Sequence, residues 1–162
     1  MPPPRPVPEV LRGRPFMVAE ARERGVTTAM LEGARFRQLL RGVHVESDVS
    51  LSLPLWLQAA LLVLPADATV TCLTGLHAHE VNVGAAWPLR LATCYPHPVR
   101  RERVRLIRAN GLPQRAGRVA SAEHCFASAC AELDLVDAVT AGDWLVHLGH
   151  TTPDALRRYA HE

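Results

Sequence analysis

The residues of this chain best suited to chemistry are its arginines. All 18 basic residues are Arg and none is Lys, and a guanidinium keeps its charge and presents a planar fork of donors that fits phosphate and base edges. They are unevenly spread. Residues 1–41 hold eight Arg against four Glu, residues 98–118 hold seven Arg against one Glu, and the remainder carries three Arg and eleven acids. The net charge of +2 hides that segregation. Two basic blocks on an otherwise acidic chain are what a polyanion partner would call for.

Other reactive types are present without the spacing that chemistry needs. His77-Ala78-His79-Glu80 is the tightest histidine cluster, but residues two apart on a helix face different ways, so the two rings do not converge on one ion. His147 and His150 can share a side, with no carboxylate or thiol near them in sequence to complete a site. Cys72, Cys94, Cys125 and Cys130 form no CxxC pair and are expected to be buried reduced thiols. Ser128 and Cys125 sit in an apolar run without the flanks of an activated nucleophile. No GxSxG, P-loop, GxGxxG or HExxH motif occurs. The residues therefore predict no catalytic site, no metal, no cofactor and no enzyme.

The basic blocks must be positioned by the elements around them. Val18, Ala19 and Ala21, flanked by charges, predict a short amphipathic helix, which Gly25 can end in the left-handed conformation. Thr27 or Thr28 can cap a second helix through Leu31 and on toward Ala34. Two short helices around a tight turn are a helix-turn-helix, in which the second helix enters the major groove. Residues 36–40 and 43–45 then read as two strands around Arg41-Gly42, a hairpin wing. Residues 53–64 (LPLWLQAALLVL) predict a buried helix, 69–71 a strand and 73–79 a helix. Residues 89–95 and 103–108 read as paired strands joined through His97, Arg100 and Arg101. Residues 122–133 and 135–148 read as helices divided at Asp134, and residues 151–154 open a last helix.

This order is that of an α+β protein: a small N-terminal winged helix-turn-helix followed by a mixed α/β domain. The expected division is a flexible Pro-rich arm over residues 1–9, the winged helix-turn-helix over 10–48 and the α/β domain over 49–162. The opening MPPPRPVP has neither an apolar core nor a cleavage site of a signal peptide. The longest apolar stretches fall short of the about 20 residues that cross a bilayer. A cytoplasmic protein with no membrane partner is the expectation.

LRGRPFMVAEARERGV followed by LEGARFRQLLRGVHV resembles the N-terminal module of actinobacterial AbiEi-type antitoxins. Further matches are AALLVLP, LDLVDAVTAGDWLV and Thr152-Pro153 with Leu156. The resemblance implies a bacterial DNA-binding transcriptional regulator: a winged helix on operator DNA, and an antitoxin-type α/β domain opposing a nucleotidyltransferase-like toxin. Longer relatives continue into a domain similar to very-short-patch-repair endonucleases, and this chain stops where that domain would begin. It is a stand-alone form or the front of a longer protein. Two departures stand out. Relatives often carry arginines where this chain has Thr27-Thr28-Ala29-Met30, and His124–Ala129 replaces an Arg-Thr-x-x-Asp-Leu-Ala-like stretch.

Thr27, Thr28 and Met30 are accordingly expected to face the groove of double-stranded DNA, with Arg35, Arg37 and Arg41 on phosphates or in the wing. Arg100, Arg101, Arg103 and Arg105 form a second candidate patch, or else an exposed hairpin rim. Paired half-sites would call for a homo-oligomer. The competing functions are a DNA-targeting module for a nuclease supplied separately, and a protein–protein module that holds a toxin.

Overall fold

A computed structural model describes residues 6–161, which divide between Leu64 and Pro65 into two units, each with its own sheet. Mixed helix and strand content makes both units α+β.

In the first unit a 3-10 turn over Glu9–Leu11 leads into β1 (Phe16–Met17), α1 (Val18–Glu23) and α2 (Thr28–Leu31). β2 (Phe36–Leu40), β3 (Val43–Glu46) and α3 (Leu53–Val63) follow. β1 pairs antiparallel with β3, and β3 with β2, giving the order β1-β3-β2. Gly25, at φ +79, ends α1: its amide donates to Arg22 O (3.0 Å) and the Val26 amide to Ala21 O (2.9 Å). This double closure needs a left-handed residue after the helix, which glycine adopts without cost. Val26 then drops into a core with Leu11, Phe16, Ala21, Leu31 and Phe36, where the two Phe rings meet edge to face at 5.7 Å. On α3, Ser52 caps the first turn by accepting from the Leu55 amide (3.4 Å).

Three expectations change here. The Pro-rich arm is not loose through residue 9, because Val7 is buried in this core and its carbonyl accepts from Arg12 Nε (3.2 Å); Met1–Arg5 lie outside the described residues. The second helix stops at Leu31 rather than approaching Ala34. Helix α3, placed by sequence in the second domain, belongs to the first unit, since it packs on β1, β2 and β3. An apolar helix buries its face where a sheet face is uncovered, and sequence order alone does not say which sheet that is.

The second unit contains β4 (Thr69–Val70), α4 (Cys72–Ala78), β5 (Leu89–Thr93), β6 (Val104–Arg108), β7 (Arg115–Ala116) and β8 (Val119–Ala120). Helices α5 (Ala122–Ala129), α6 (Leu135–His147) and α7 (Pro153–His161) complete it. Its sheet runs β6-β5-β4-β8-β7. Every residue of β5 is buried, as expected of a strand covered on both faces. The β5–β6 pair is parallel, Leu89 opposite Val104 through to Thr93 opposite Arg108, so the connection between them is no hairpin. Alternation along a strand sets which face is buried, not which way its neighbour runs. The two-residue strands β7 and β8 carry too little pattern to be read from sequence. Asp134 does cap α6, accepting from the Asp137 amide (2.8 Å).

Candidate nucleic-acid interface

In the first unit the candidate contacts cluster at two turns. Thr27 Oγ1 caps α2 by accepting from the Met30 amide (3.3 Å), and Thr28 Oγ1 accepts from Arg22 (3.3 Å), tying the two helices together across their turn. Arg24 projects from the same turn, exposed and with no side-chain partner among the described residues. The second turn joins β2 to β3. There Gly42 O accepts from the Val18 amide (3.0 Å), which seats Arg41 beside the start of α1. Arg41 is exposed and also lacks a side-chain partner among the described residues. Six helical residues separate the two turns, about 9 Å along the axis.

The other expected contacts are engaged differently. Met30 packs half-buried on the first core. Arg37 is half-buried, one terminal nitrogen donating to Val49 O and its Nε buried without a partner. Arg35 lines a cleft of about 580 Å³ together with Arg12, Glu46 and Asp48, so its charge sits among acids. His44 lies opposite Gln38 in the β2–β3 pair, with a buried, unpartnered Nδ1, and burial holds its pKa below the usual histidine value.

The arginines of the second basic block are engaged with different partners. Arg105 pairs with Glu132 (3.4 Å), Arg103 lies 5.9 Å from the Trp87 ring centre and 3.8 Å from Glu102, and Arg101 donates to Arg100 O (3.0 Å). Arg115 and Arg118 brace the turn before β4: Arg115 donates to Asp67 O (3.0 Å) and Thr69 Oγ1 (2.8 Å), Arg118 to Ala68 O (3.0 Å) and Pro65 O (2.7 Å). Asp67 in turn accepts from Thr93 Oγ1 and the Cys94 amide, each at 2.6 Å. The Thr93 hydrogen bond is the main reason its carboxyl stays below the usual range, with Arg115 nearby adding to it. Much of what reads as a polyanion footprint in sequence is therefore internal carbonyl capping. Arg100 and Arg108 are left, lining a cleft with Tyr95 and His97.

Among the described residues Arg90 is the one deeply buried guanidinium, 5% exposed. It donates through Nε and a terminal nitrogen to Glu132 Oε2 (3.0 and 2.7 Å), and through the other to Ala85 O and Pro88 O (3.0 Å each). That pairing depresses the Glu132 carboxyl. The Cys72 thiol approaches Glu132 Oε1 (3.6 Å), and burial raises its pKa; burial pushes Cys125 up to about 12. Both are held as thiols, the unreactive form. Cys94 and Cys130 are exposed, contrary to the expectation for all four. His77 bonds Asn82 Oδ1 (3.0 Å) and Gly84 O (3.1 Å), while His79 bonds Ala120 O (2.9 Å), so the two rings serve different partners.

Arg24 and Arg108 lie in the basic blocks but are not distinguished from their neighbours by sequence. What sets them apart is the lack of an internal partner, a property of the tertiary fold. In comparison with known proteins, no family model matches the chain and no curated protein matches it significantly.

Proposed function

We propose that this chain is a DNA-binding regulator of the antitoxin kind, using the first unit as a winged helix. The observation that carries the reading is the connectivity: a helical pair is inserted between β1 and β2 of a sheet ordered β1-β3-β2, which is how a winged helix threads its strands. On this reading Thr27 and Thr28 approach the groove, and Arg24 and Arg41 hold phosphates on either side. Arg37, turned inward onto Val49 O, supports the sheet rather than the contact.

A gel-shift titration on genomic fragments at several salt concentrations tests it. Replacing Arg24 and Arg41 by Ala should flatten the log–log salt slope by about two, roughly one per lost phosphate contact. Arg37→Ala should leave the slope in place while lowering stability. Duplex affinity unmoved by the Arg24/Arg41 double substitution sinks the assignment.

A second reading, a protein–protein module, is favoured by α6. Leu135, Val136, Val139 and Trp144 are 79, 73, 56 and 50% exposed on it, an unusual apolar load for a solvated helix. Under that reading Val136→Asp/Val139→Asp abolishes co-purification of a cellular partner and leaves DNA binding intact. Unchanged recovery of such a partner by the double variant rejects it.

A further inference from the structure

We propose that the second unit carries its own nucleotide-binding cleft, at the carboxyl ends of the parallel strands β5 and β6. This does not rest on DNA binding by the first unit. The cleft encloses about 330 Å³, and its lining includes Thr93, Tyr95, His97, Arg100, Leu106 and Arg108. Thr93 and Arg108 are register partners, and Ala109 N donates to Thr93 O (2.9 Å), so the floor of the cleft is pinned to the sheet. The carboxyl ends of parallel strands are where open sheets characteristically receive ligands.

Charge singles the cleft out. Between residues 89 and 118, Arg90 and Arg105 share the carboxylate of Glu132. Arg103 has Glu102 and the Trp87 face. Arg101, Arg115 and Arg118 donate to carbonyls. Among the described residues, Arg100 and Arg108 alone in that stretch have no side-chain partner, and both line this cleft. Among the described residues no carboxylate lines it. Asp67, hydrogen-bonded to Thr93, has its carboxylate oxygens taken by the Thr93 hydroxyl and the Cys94 amide. Two uncompensated guanidinium groups around one concavity suit a phosphate group, whose anionic oxygens accept several charge-assisted hydrogen bonds at once.

The aromatic wall specifies more than phosphate. Tyr95 and His97 meet edge to face, ring centres 5.5 Å apart, and Tyr95 is 43% exposed. An exposed ring beside a phosphate clamp is a stacking platform for a base. The ligand class is thus a nucleoside phosphate, free or as part of a single strand.

Calorimetric titration of the full chain with dAMP, inorganic phosphate and single-stranded (dA)6 tests the assignment. dAMP should bind about tenfold or more tighter than phosphate, the gain expected from one stacked base. Tyr95→Ala should remove that gain and leave phosphate binding unchanged. Arg100→Ala and Arg108→Ala should each weaken dAMP by about tenfold or more, while Arg157→Ala, an equal charge loss outside the cleft, should not. Per-site affinity higher for (dA)6 than for dAMP would identify a strand as the source; the reverse identifies the free nucleotide. No dAMP binding into the millimolar range, equal affinity for dAMP and phosphate, or indifference to both arginine substitutions in variants with native circular dichroism overturns it.

Discussion

Asp67 shows how one side chain organises a neighbourhood that its own sequence context leaves unmarked. Its carboxylate draws in the Thr93 hydroxyl and the Cys94 amide at the end of β5, while Arg115 reaches the Asp67 carbonyl from β7. The carboxyl is held below its ordinary value, chiefly by Thr93, so its contribution is present above the usual aspartate pKa and is lost as pH falls through the lowered one. Asp67→Asn should therefore lower stability by about 1–2 kcal/mol at pH 7 in urea unfolding, and the gap to wild type should narrow as the pH falls below the ordinary aspartate pKa of about 3.9 and through the lowered one. A gap independent of pH would remove the carboxylate from the account. None of this was legible in the sequence, where Asp67 reads as part of a Pro-Ala-Asp-Ala helix break. The hydrogen bonds join residues 26 and 27 positions apart.

At the scale of elements, α4 and α5 approach closely at Gly75. A Cβ on Gly75 would lie 2.2 Å from Cys125 Sγ and 3.1 Å from its Cβ, so the two helices pack through a position that admits no side chain. Gly75→Ala should destabilise the second unit by about 1–3 kcal/mol through overpacking, despite the better helix propensity of Ala. Pairing it with Cys125→Ala, which removes the sulfur and keeps the Cβ, should recover part of that loss, giving a non-additive cycle. Additive effects in chemical denaturation would show that the helices part freely. From sequence α4 is expected over residues 73–79, within a residue of its ends at Cys72 and Ala78, and Cys125 as a core thiol, yet Gly75 gives no sign of its role. It lies mid-helix, where glycine ordinarily only weakens the element. The cap residues were readable because capping is local: Thr27, Asp134 and Thr152 all accept from an amide three residues on.

At the scale of the molecule, each unit owns a sheet and a core, and the chain passes from one to the other between Leu64 and Pro65. A fragment of residues 65–162 should fold alone, with native-like circular dichroism and dispersed amide resonances, and should keep the dAMP binding proposed for it. A fragment of residues 1–64 is near the lower size at which a single core sustains folding. It should fold more weakly and fail if cut at residue 48, because α3 covers its sheet. Full stability of the 1–48 fragment would restore the boundary expected from sequence. No helix among the described residues is long and apolar enough to cross a membrane.

By itself the sequence determined whatever depends on near neighbours: helix caps, the Gly25 stop, the β2–β3 turn, the apolar helices and the α+β class. Each is set by backbone sterics or by hydrogen bonds a few residues long. The arginines were equally legible as residues, but their meaning was not. Only the tertiary structure decided that Arg90, Arg105, Arg115 and Arg118 are engaged with internal carboxylates, hydroxyls and carbonyls, that Arg37 turns inward, and that Arg24, Arg41, Arg100 and Arg108 have no side-chain partner among the described residues. A charge is a property of the residue. Whether it is already compensated depends on what the fold brings within about 4 Å of it.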